Sequence, residues 1–377
     1  MKNILHINSY YIDNKLYSVL YKRLDSRCRQ RIFVPIKMNR SEENRIELTN
    51  GEFFFSKIIK PVYKYNYWGK IRCLFRELEH LKLFENTDFV HAHNLFNDGA
   101  VAYRLKKRYN IEYVVTIRLT DTELQYKYMY QRRAYIHKVL KNAKRIIFIS
   151  EQSKDSLVRR LPKKVTRNIE NKFSLVPNGI DDFWINNIAS KKELDHTSPF
   201  KLLFVGRIIP LKNIELILEA CRIVNEKGDF KVALSIVGGE SPDQEEYYKT
   251  FLKQLQKYDF VEYLNKISDK TELRDIYRGA DAFVLPSKAE LFGLVYLEAL
   301  SQGLPVIYSK NSGISSYLAN SNVGVKLKVT DAVALSEAIN EVYSNYDTYV
   351  IPQEFIESFD WGNISEDLYQ LYFAKAL

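Results

Sequence analysis

Glu290 and Glu298 lie in the segment Leu285-Pro286-Ser287-Lys288-Ala289-Glu290-Leu291-Phe292-Gly293-Leu294-Val295-Tyr296-Leu297-Glu298. Its apolar start reads as a strand ending at Pro286, a polar loop carries Glu290, and Phe292-Gly293-Leu294 opens a helix that contains Glu298. Unpaired N–H groups at such a helix start form an anion site, and Gly293 removes the side chain that would block it. Glu298, about one and a half turns in, could accept hydrogen bonds from ribose hydroxyls, and Glu290, in the loop, would then face an attached sugar. The two are not a hydrolase acid/base pair. Eight residues of helix span about 12 Å, beyond the roughly 5–9.5 Å that glycosidases use. A second segment, Leu203-Phe204-Val205-Gly206-Arg207-Ile208-Ile209-Pro210-Leu211-Lys212-Asn213, runs from a buried strand into a glycine and presents two cations before a helix. Glycine permits close backbone approach, and Arg207 with Lys212 at a strand's C-terminal edge suits a diphosphate. The spacing is not that of a Walker A loop.

These loops need strands and helices to hold them, and the chain supplies both in alternation. Strands are expected at Asn3–Ile7, Arg31–Ile36, Phe89–Ala92, Tyr113–Ile117, Arg145–Ile149 and Ser174–Val176. A second series follows at Lys201–Val205, Lys231–Val237, Phe260–Leu264, Ala282–Leu285, Pro305–Tyr308 and Val323–Lys326. Helical spacing links Ile71, Leu74, Phe75, Leu78 and Leu81, and again Ile214, Ile217, Leu218, Cys221 and Val224. Continuous apolar strands alternating with helices imply parallel sheets covered on both faces. Two such series, in 377 residues, imply two doubly wound domains. The expected division is 1–185, 186–360 and a C-terminal helix over 361–377 that crosses back to the first domain. The polar stretch 186–199 reads as the interdomain linker.

Composition narrows the class. Apolar residues make up 46% and charged residues 27%, which fits a globular protein, and no run is long enough for a membrane span. Met1–Asn8 reads as a first strand and not as a signal peptide. The three cysteines, Cys28, Cys73 and Cys221, have no metal or redox spacing, so a reducing cytoplasm is expected. Residues 1–190 hold 36 Lys+Arg and 19 Asp+Glu, a net of +17, leaving −7 for the rest of a chain whose total is +10. The N-terminal half is therefore expected to face something anionic.

In these residues the chain resembles family 4 glycosyltransferases, retaining enzymes of the GT-B architecture, in which two Rossmann-like domains face each other across a cleft. Glu290 and Glu298 reproduce the family's E-x7-E motif, and Gly206-Arg207 with Lys212 its G-R-x-x-x-x-K loop. Val176-Pro177-Asn178-Gly179-Ile180-Asp181 is similar to its P-N-G-I-D, Asp88-Phe89-Val90-His91-Ala92-His93 to its D-x-x-H-x-H, and Val237-Gly238-Gly239 to its glycine turn. The resemblance implies that Arg207 and Lys212 hold a donor diphosphate, that Glu298 holds the ribose, and that the backbone of Phe292, Gly293 and Leu294 holds phosphate. Gly206 and Gly238 would shape the donor site, Glu290 would bind a sugar hydroxyl, and His93 would contact the donor sugar. His91 is read as packed in its strand. A front-face substitution without a catalytic metal and without a cofactor is implied, since no D-x-D cluster follows a strand.

The departures fall mostly in the first half. The loop Asn8-Ser9-Tyr10-Tyr11-Ile12-Asp13 has no glycine pair, and Thr116-Ile117-Arg118-Leu119-Thr120-Asp121 replaces the family's T-x-H-D. Tyr10, Arg118 and Asp121 are the candidate acceptor contacts. Asn265-Lys266 stands where a glycine is common. Phe53-Phe54-Phe55 with Lys57, Lys60, Tyr63, Lys64, Tyr65, Tyr67, Trp68 and Lys70 interleaves aromatics and cations, which suits a membrane interface or the edge of a Rossmann helix with its loop. No nucleic-acid motif accompanies them. The expected activity is transfer of a hexose or N-acetylhexosamine from a UDP-sugar to a lipid-linked surface glycan at the inner face of the membrane. The alternatives are a sugar-nucleotide epimerase and a non-catalytic donor-binding subunit.

Overall fold

The structure, a computed structural model, describes residues 1–12, 16–42, 44–290, 292–328 and 331–373. Asp13 of the first loop and Leu291 of the two-glutamate segment lie outside the described residues. The chain divides into two compact units, Met1–Gly179 together with the chain from Trp361 onward, and Ile180–Asp360.

In the first unit, seven described strands form one sheet: β1 (Lys2–Ile7), β2 (Cys28–Lys37), β3 (Gly51–Ile59), β4 (Phe89–Ala92), β5 (Glu112–Ile117), β6 (Arg145–Phe148) and β7 (Phe173–Leu175). Their order is β3-β2-β1-β4-β5-β6-β7 and every pairing is parallel. Side chains alternate between two buried clusters. Leu5, Ile7, Val90 and Val115 meet Ile71, Leu74 and Leu78 of the helix Tyr67–His80. Ile4, Val34 and Val114 share the other cluster with Leu20 and Tyr21 of the helix Leu16–Leu24 and with Trp361, Ile364 and Leu368 of the helix Trp361–Phe373. Both faces being covered is why these strands read as continuous apolar runs.

Two sequence expectations change here. The aromatic-basic run from Phe53 is not the edge of a helix: it is β3, an edge strand with Phe53 buried and Lys57 exposed. Charge on an edge strand discourages pairing with a second chain. A 3-10 turn follows at Pro61–Lys64, and from Tyr67 the same stretch is α-helical, capped by the Asn66 side chain, which accepts from the Gly69 N–H at 2.8 Å.

In the second unit the order is β10-β9-β8-β11-β12-β13, with β8 (Phe200–Val205), β9 (Val232–Val237), β10 (Val261–Tyr263), β11 (Ala282–Leu285), β12 (Val306–Ser309) and β13 (Gly324–Leu327). These pairings too are all parallel. The stretch 186–199 is not a free linker. The Ala189 N–H donates to the Ser301 carbonyl at 2.8 Å, the Lys191 ammonium donates to the Tyr349 carbonyl at 2.9 Å, and Lys192 pairs with Asp281 at 2.8 Å. The boundary falls instead after Gly179, where a Cβ would lie 2.6 Å from the Trp361 ring. Glycine is required there because the indole occupies the space of a side chain.

Candidate functional site

Neighbouring strands whose connections leave in opposite directions create a crevice at their C-terminal ends. In the second unit these are β8 and β11, and the two loops with the expected chemistry follow them. After β8 the chain is stitched to the turn after β9. The Gly206 N–H donates to the Val237 carbonyl at 2.9 Å and the Ile208 N–H to the Gly239 carbonyl at 3.1 Å. Gly238 lies so close that a Cβ on it would stand 2.0 Å from the Gly206 carbonyl oxygen. The third loop joins through Asn265, whose carbonyl accepts from the Gly238 N–H at 2.8 Å. Asn265 has a φ of 56°, a left-handed conformation that asparagine tolerates better than other non-glycine residues, which accounts for its standing in a glycine's place.

A short 3-10 turn, Pro210–Lys212, then aims Lys212 across the crevice. Its ammonium pairs with the Glu290 carboxylate, with both side chains close to nine-tenths covered. The loops also meet through the backbone, where the Lys288 N–H donates to the Leu211 carbonyl at 2.9 Å. Arg207 is exposed and makes no hydrogen bond or ion pair among the described residues. Glu290 is fixed from behind, its carbonyl accepting from the Gly313 N–H at 3.1 Å. Gly293 has a φ of 90° and precedes the helix Leu294–Ser301, whose N-terminus has no side-chain cap among the described residues. The Phe292 side chain is buried against Tyr317 and Phe359, so only its backbone faces the loop.

Glu298 lies in the second turn of that helix and accepts from the Tyr277 hydroxyl at 3.2 Å. Burial raises its carboxyl to about 7; the Tyr277 hydrogen bond opposes the rise and the Asp181 carboxylate adds to it. Asp181 is itself paired with Lys270 at 2.6 Å.

In the first unit the corresponding crevice lies between β1 and β4. His6 and His91 are register partners on these strands, and His93 follows β4. Sequence reasoning separated an active His93 from a packed His91, but the structure buries both. His93 is 1% exposed, and its Nε2 lies 3.1 Å from His6 Nδ1 and 3.2 Å from the Tyr21 hydroxyl. His91 bonds the Tyr372 hydroxyl at 2.7 Å and Thr116 Oγ1 at 2.8 Å. Burial holds all three imidazoles well below the usual histidine range, His6 at about 3. One ring nitrogen from each lies within 4.8 Å of the others, the one such group of potential metal ligands among the described residues. Both His91 nitrogens are already engaged and the His91 and His93 rings stack at 3.9 Å, an arrangement of neutral, hydrogen-bonded rings. A metal would have to break those bonds.

The acceptor candidates divide. Arg118 donates to the Tyr17 hydroxyl at 2.6 Å and to the His93 carbonyl at 3.3 Å, and Tyr10 lies 3.3 Å from Thr120 Oγ1. Both remain partly exposed. Asp121 does not: it is fully buried and accepts from the Arg118 N–H at 2.9 Å and the Leu95 N–H at 3.2 Å. It ties the loops after β4 and β5 together through Oδ2, while its buried Oδ1 has no hydrogen-bond partner among the described residues. Sequence reasoning missed Asp98, the buried first residue of the helix Asp98–Tyr109, which accepts from the Ser9 N–H at 3.1 Å and from the Ser9 hydroxyl. Burial raises its carboxyl to about 7. Asn94 and Asp98, four residues apart at a helix start, were the available signal. His6 was visible only through its strand register with His91.

Comparison with known proteins agrees with this geometry. The family model described as Glycosyltransferase Family 4 matches residues 19–182, and the one described as Glycosyl transferases group 1 matches residues 186–357. The chain belongs to glycosyltransferase family 4. A glycosyltransferase of Methanocaldococcus jannaschii, itself uncharacterised, is 26% identical over 216 residues, 54% of each chain. The match spans about half the length of the curated relatives. Sucrose-phosphate synthase from Thermosynechococcus elongatus has the same GT-B fold, with a TM-score of 0.76 at 20% identity over 99% of this chain and 98% of that one. Anabaena HepE, solved in complex with UDP and glucose, has a TM-score of 0.68 at 16% identity over 98% of this chain and 99% of that one.

Proposed function

We propose that this family 4 member transfers a hexose or N-acetylhexosamine from a UDP-sugar to a glycan acceptor with retention of configuration and without a catalytic metal. The observation that carries the reading is the crevice between β8 and β11, where Lys212 meets Glu290 beside exposed Arg207 and an open helix N-terminus. Such a site matches a diphosphate with a sugar attached. Neighbours of the same fold support the choice of nucleotide, HepE having been solved with UDP and glucose. In the proposed step the bond from the anomeric carbon to the diphosphate oxygen breaks while the acceptor oxygen bonds to the same face. The acceptor's hydroxyl proton passes to the departing diphosphate. Arg207 and Lys212 stabilise the charge that grows on that leaving group. A thermal-shift panel of UDP-, GDP- and dTDP-sugars tests the donor assignment: UDP-sugars should raise the melting temperature most, and a response confined to another nucleotide would refute it.

Glu298 gives the donor site a pH dependence. Its folded pKa of about 7 lies above the ordinary value of 4.5, so its contribution to stability is full below the ordinary value and is lost as pH rises through about 7. Ribose binding runs the other way, because the ionised carboxylate is the stronger acceptor. UDP should bind several-fold more tightly at about pH 8 than at about pH 6, and Glu298→Gln should flatten that slope. An unchanged slope in the variant would remove Glu298 from the ribose.

The acceptor is proposed to be lipid-linked, with the first unit resting on an anionic membrane surface. No helix among the described residues is long and apolar enough to cross a membrane. Tyr65, Trp68, Tyr128 and Tyr130 are nevertheless exposed, and Lys57, Lys60 and Lys64 lie in the same stretch as the first two. Phosphatidylglycerol vesicles should sediment the protein at low salt and release it near about 0.5 M NaCl, and Lys57, Lys60 and Lys64 changed to Glu should weaken the binding. No sedimentation at low salt would place the acceptor in solution.

A further inference from the structure

Tyr277 is the one buried side chain of the helix Lys270–Gly279, whose other residues are exposed or half-buried. Its ring is held on two sides. Trp184, from the short helix Asp182–Ile185, packs edge-on with ring centroids 5.4 Å apart, and Phe283 of β11 lies at 6.1 Å. A ring fixed by packing also fixes where its hydroxyl points. That hydroxyl donates to Glu298 Oε2 at 3.2 Å, its one hydrogen bond among the described residues, while Glu298 Oε1 accepts none among them. Burial and the nearby Glu298 carboxylate hold the phenol well above its ordinary pKa, so it stays a donor across the physiological range. The other charged groups acting on Glu298 are Asp181 and Lys270, which pair with each other at 2.6 Å and push its carboxyl in opposite directions.

A glutamate side chain is long and freely jointed, and without an anchor its carboxylate must give up that freedom each time it binds. An ionised carboxyl offers two oxygens as acceptors. Anchoring Oε2 leaves Oε1 to meet a ligand in a set direction. We propose, on the reading above that Glu298 binds the ribose, that Tyr277 is a positioning residue which aims the Glu298 carboxylate and thereby makes the donor site select nucleotides that carry ribose hydroxyls over those that lack them. Tyr277 is fully buried, so it acts through Glu298 and not on the donor itself. Phenylalanine at this position keeps the ring and its packing and removes only the hydroxyl, leaving a largely covered carboxylate with one partner fewer.

Isothermal titration of the full chain with UDP and with 2′,3′-dideoxyuridine diphosphate tests this, since the second probe keeps the base and the diphosphate but lacks both ribose hydroxyls. At about pH 9, Tyr277→Phe should bind UDP about tenfold more weakly and the dideoxy probe as the parent does, tenfold being the order for one charge-assisted hydrogen bond. In a Glu298→Gln background, Tyr277→Phe should cost nothing further on either probe. The pH profile is an independent readout. The Tyr277 hydrogen bond favours the ionised carboxylate, so without it the pH at which UDP affinity rises should move upward from about 7. Lys270→Gln removes a cation that favours the same ionised form. It should move that pH upward too, yet keep the parent's preference for UDP over the dideoxy probe at about pH 9, which separates the field at Glu298 from its orientation. Equal losses on both probes would make Tyr277 a packing residue and overturn the proposal, as would a Tyr277→Phe protein with the parent's preference and pH profile. Either result leaves Glu298 on the ribose. A parent that binds the two probes alike, or a Glu298→Gln protein with an unchanged ratio between them, takes Glu298 off the ribose, and the role of Tyr277 falls with it.

Discussion

Lys212→Ala is expected to lower turnover by about two orders of magnitude while the protein still folds, the usual cost of removing a charged contact made in the transition state. The side chain sits on a short turn after β8, outside both hydrophobic layers, so no core contact is lost. Its only ion-pair partner among the described residues is Glu290. Removing the lysine leaves that carboxylate largely covered and uncompensated, which costs stability as well as rate. The two losses are separable. Lys212→Ala/Glu290→Gln should regain the melting temperature of the parent and none of its activity. Arg207→Ala should show the same kinetic loss with no change in melting temperature, because Arg207 is exposed and makes no ion pair among the described residues. Steady-state kinetics and thermal denaturation on the same preparations check both. Full activity in either single variant would remove the diphosphate assignment.

Gly238→Ala should have a comparable effect by a different route. A Cβ at this position would stand 2.0 Å from the Gly206 carbonyl oxygen and 3.0 Å from the Ile208 side chain. Neither neighbour is free to give way, since the Gly206 N–H is bonded to Val237 at the end of β9 and the Ile208 N–H to Gly239 in the turn after it. The loop after β8 must therefore move away from the strand ends, carrying Arg207 and Lys212 with it. An overpacked contact of this kind costs about 1–3 kcal/mol of stability. A displacement near 1 Å at the reacting centre is worth about 100-fold in rate. UDP affinity and turnover should fall together, in contrast to an exposed glycine such as Gly279, whose Cβ would meet nothing within 4 Å. Calorimetry with UDP on Gly238→Ala and Gly279→Ala distinguishes the two positions, and equal affinity in both would contradict the packing account.

Much of this was legible in the sequence, for reasons that differ by element. β4 and β11 emerge at the residues expected, Phe89–Ala92 and Ala282–Leu285, because strands buried on both faces are apolar throughout and end abruptly at polar loops. β3 was missed because an edge strand has a neighbour on one side only and alternates buried Phe53 with exposed Glu52 and Lys57. The stretch 186–199 was misread because polar anchors hold it, Lys191 and Lys192 among them, and hydrophobic periodicity does not register such contacts. The loops after β8 and β11 could be placed from local signals, each being a strand end followed by glycine and a charge. The first unit's site could not. His6, on β1, and Asp98, in the helix after β4, come from separate segments, and only the pairing of β1 with β4 brings them to one edge.

Retention and metal independence are the central chemical claims, and one measurement addresses both. Incubated with UDP-glucose and excess EDTA but no acceptor, the enzyme should slowly transfer the glucosyl group to water, and proton NMR can read the anomer before mutarotation scrambles it. The account predicts α-glucose as the first product, at the same rate with and without EDTA, and lost in Lys212→Ala. First release of β-glucose, or turnover abolished by EDTA and restored by Mn²⁺, would contradict it.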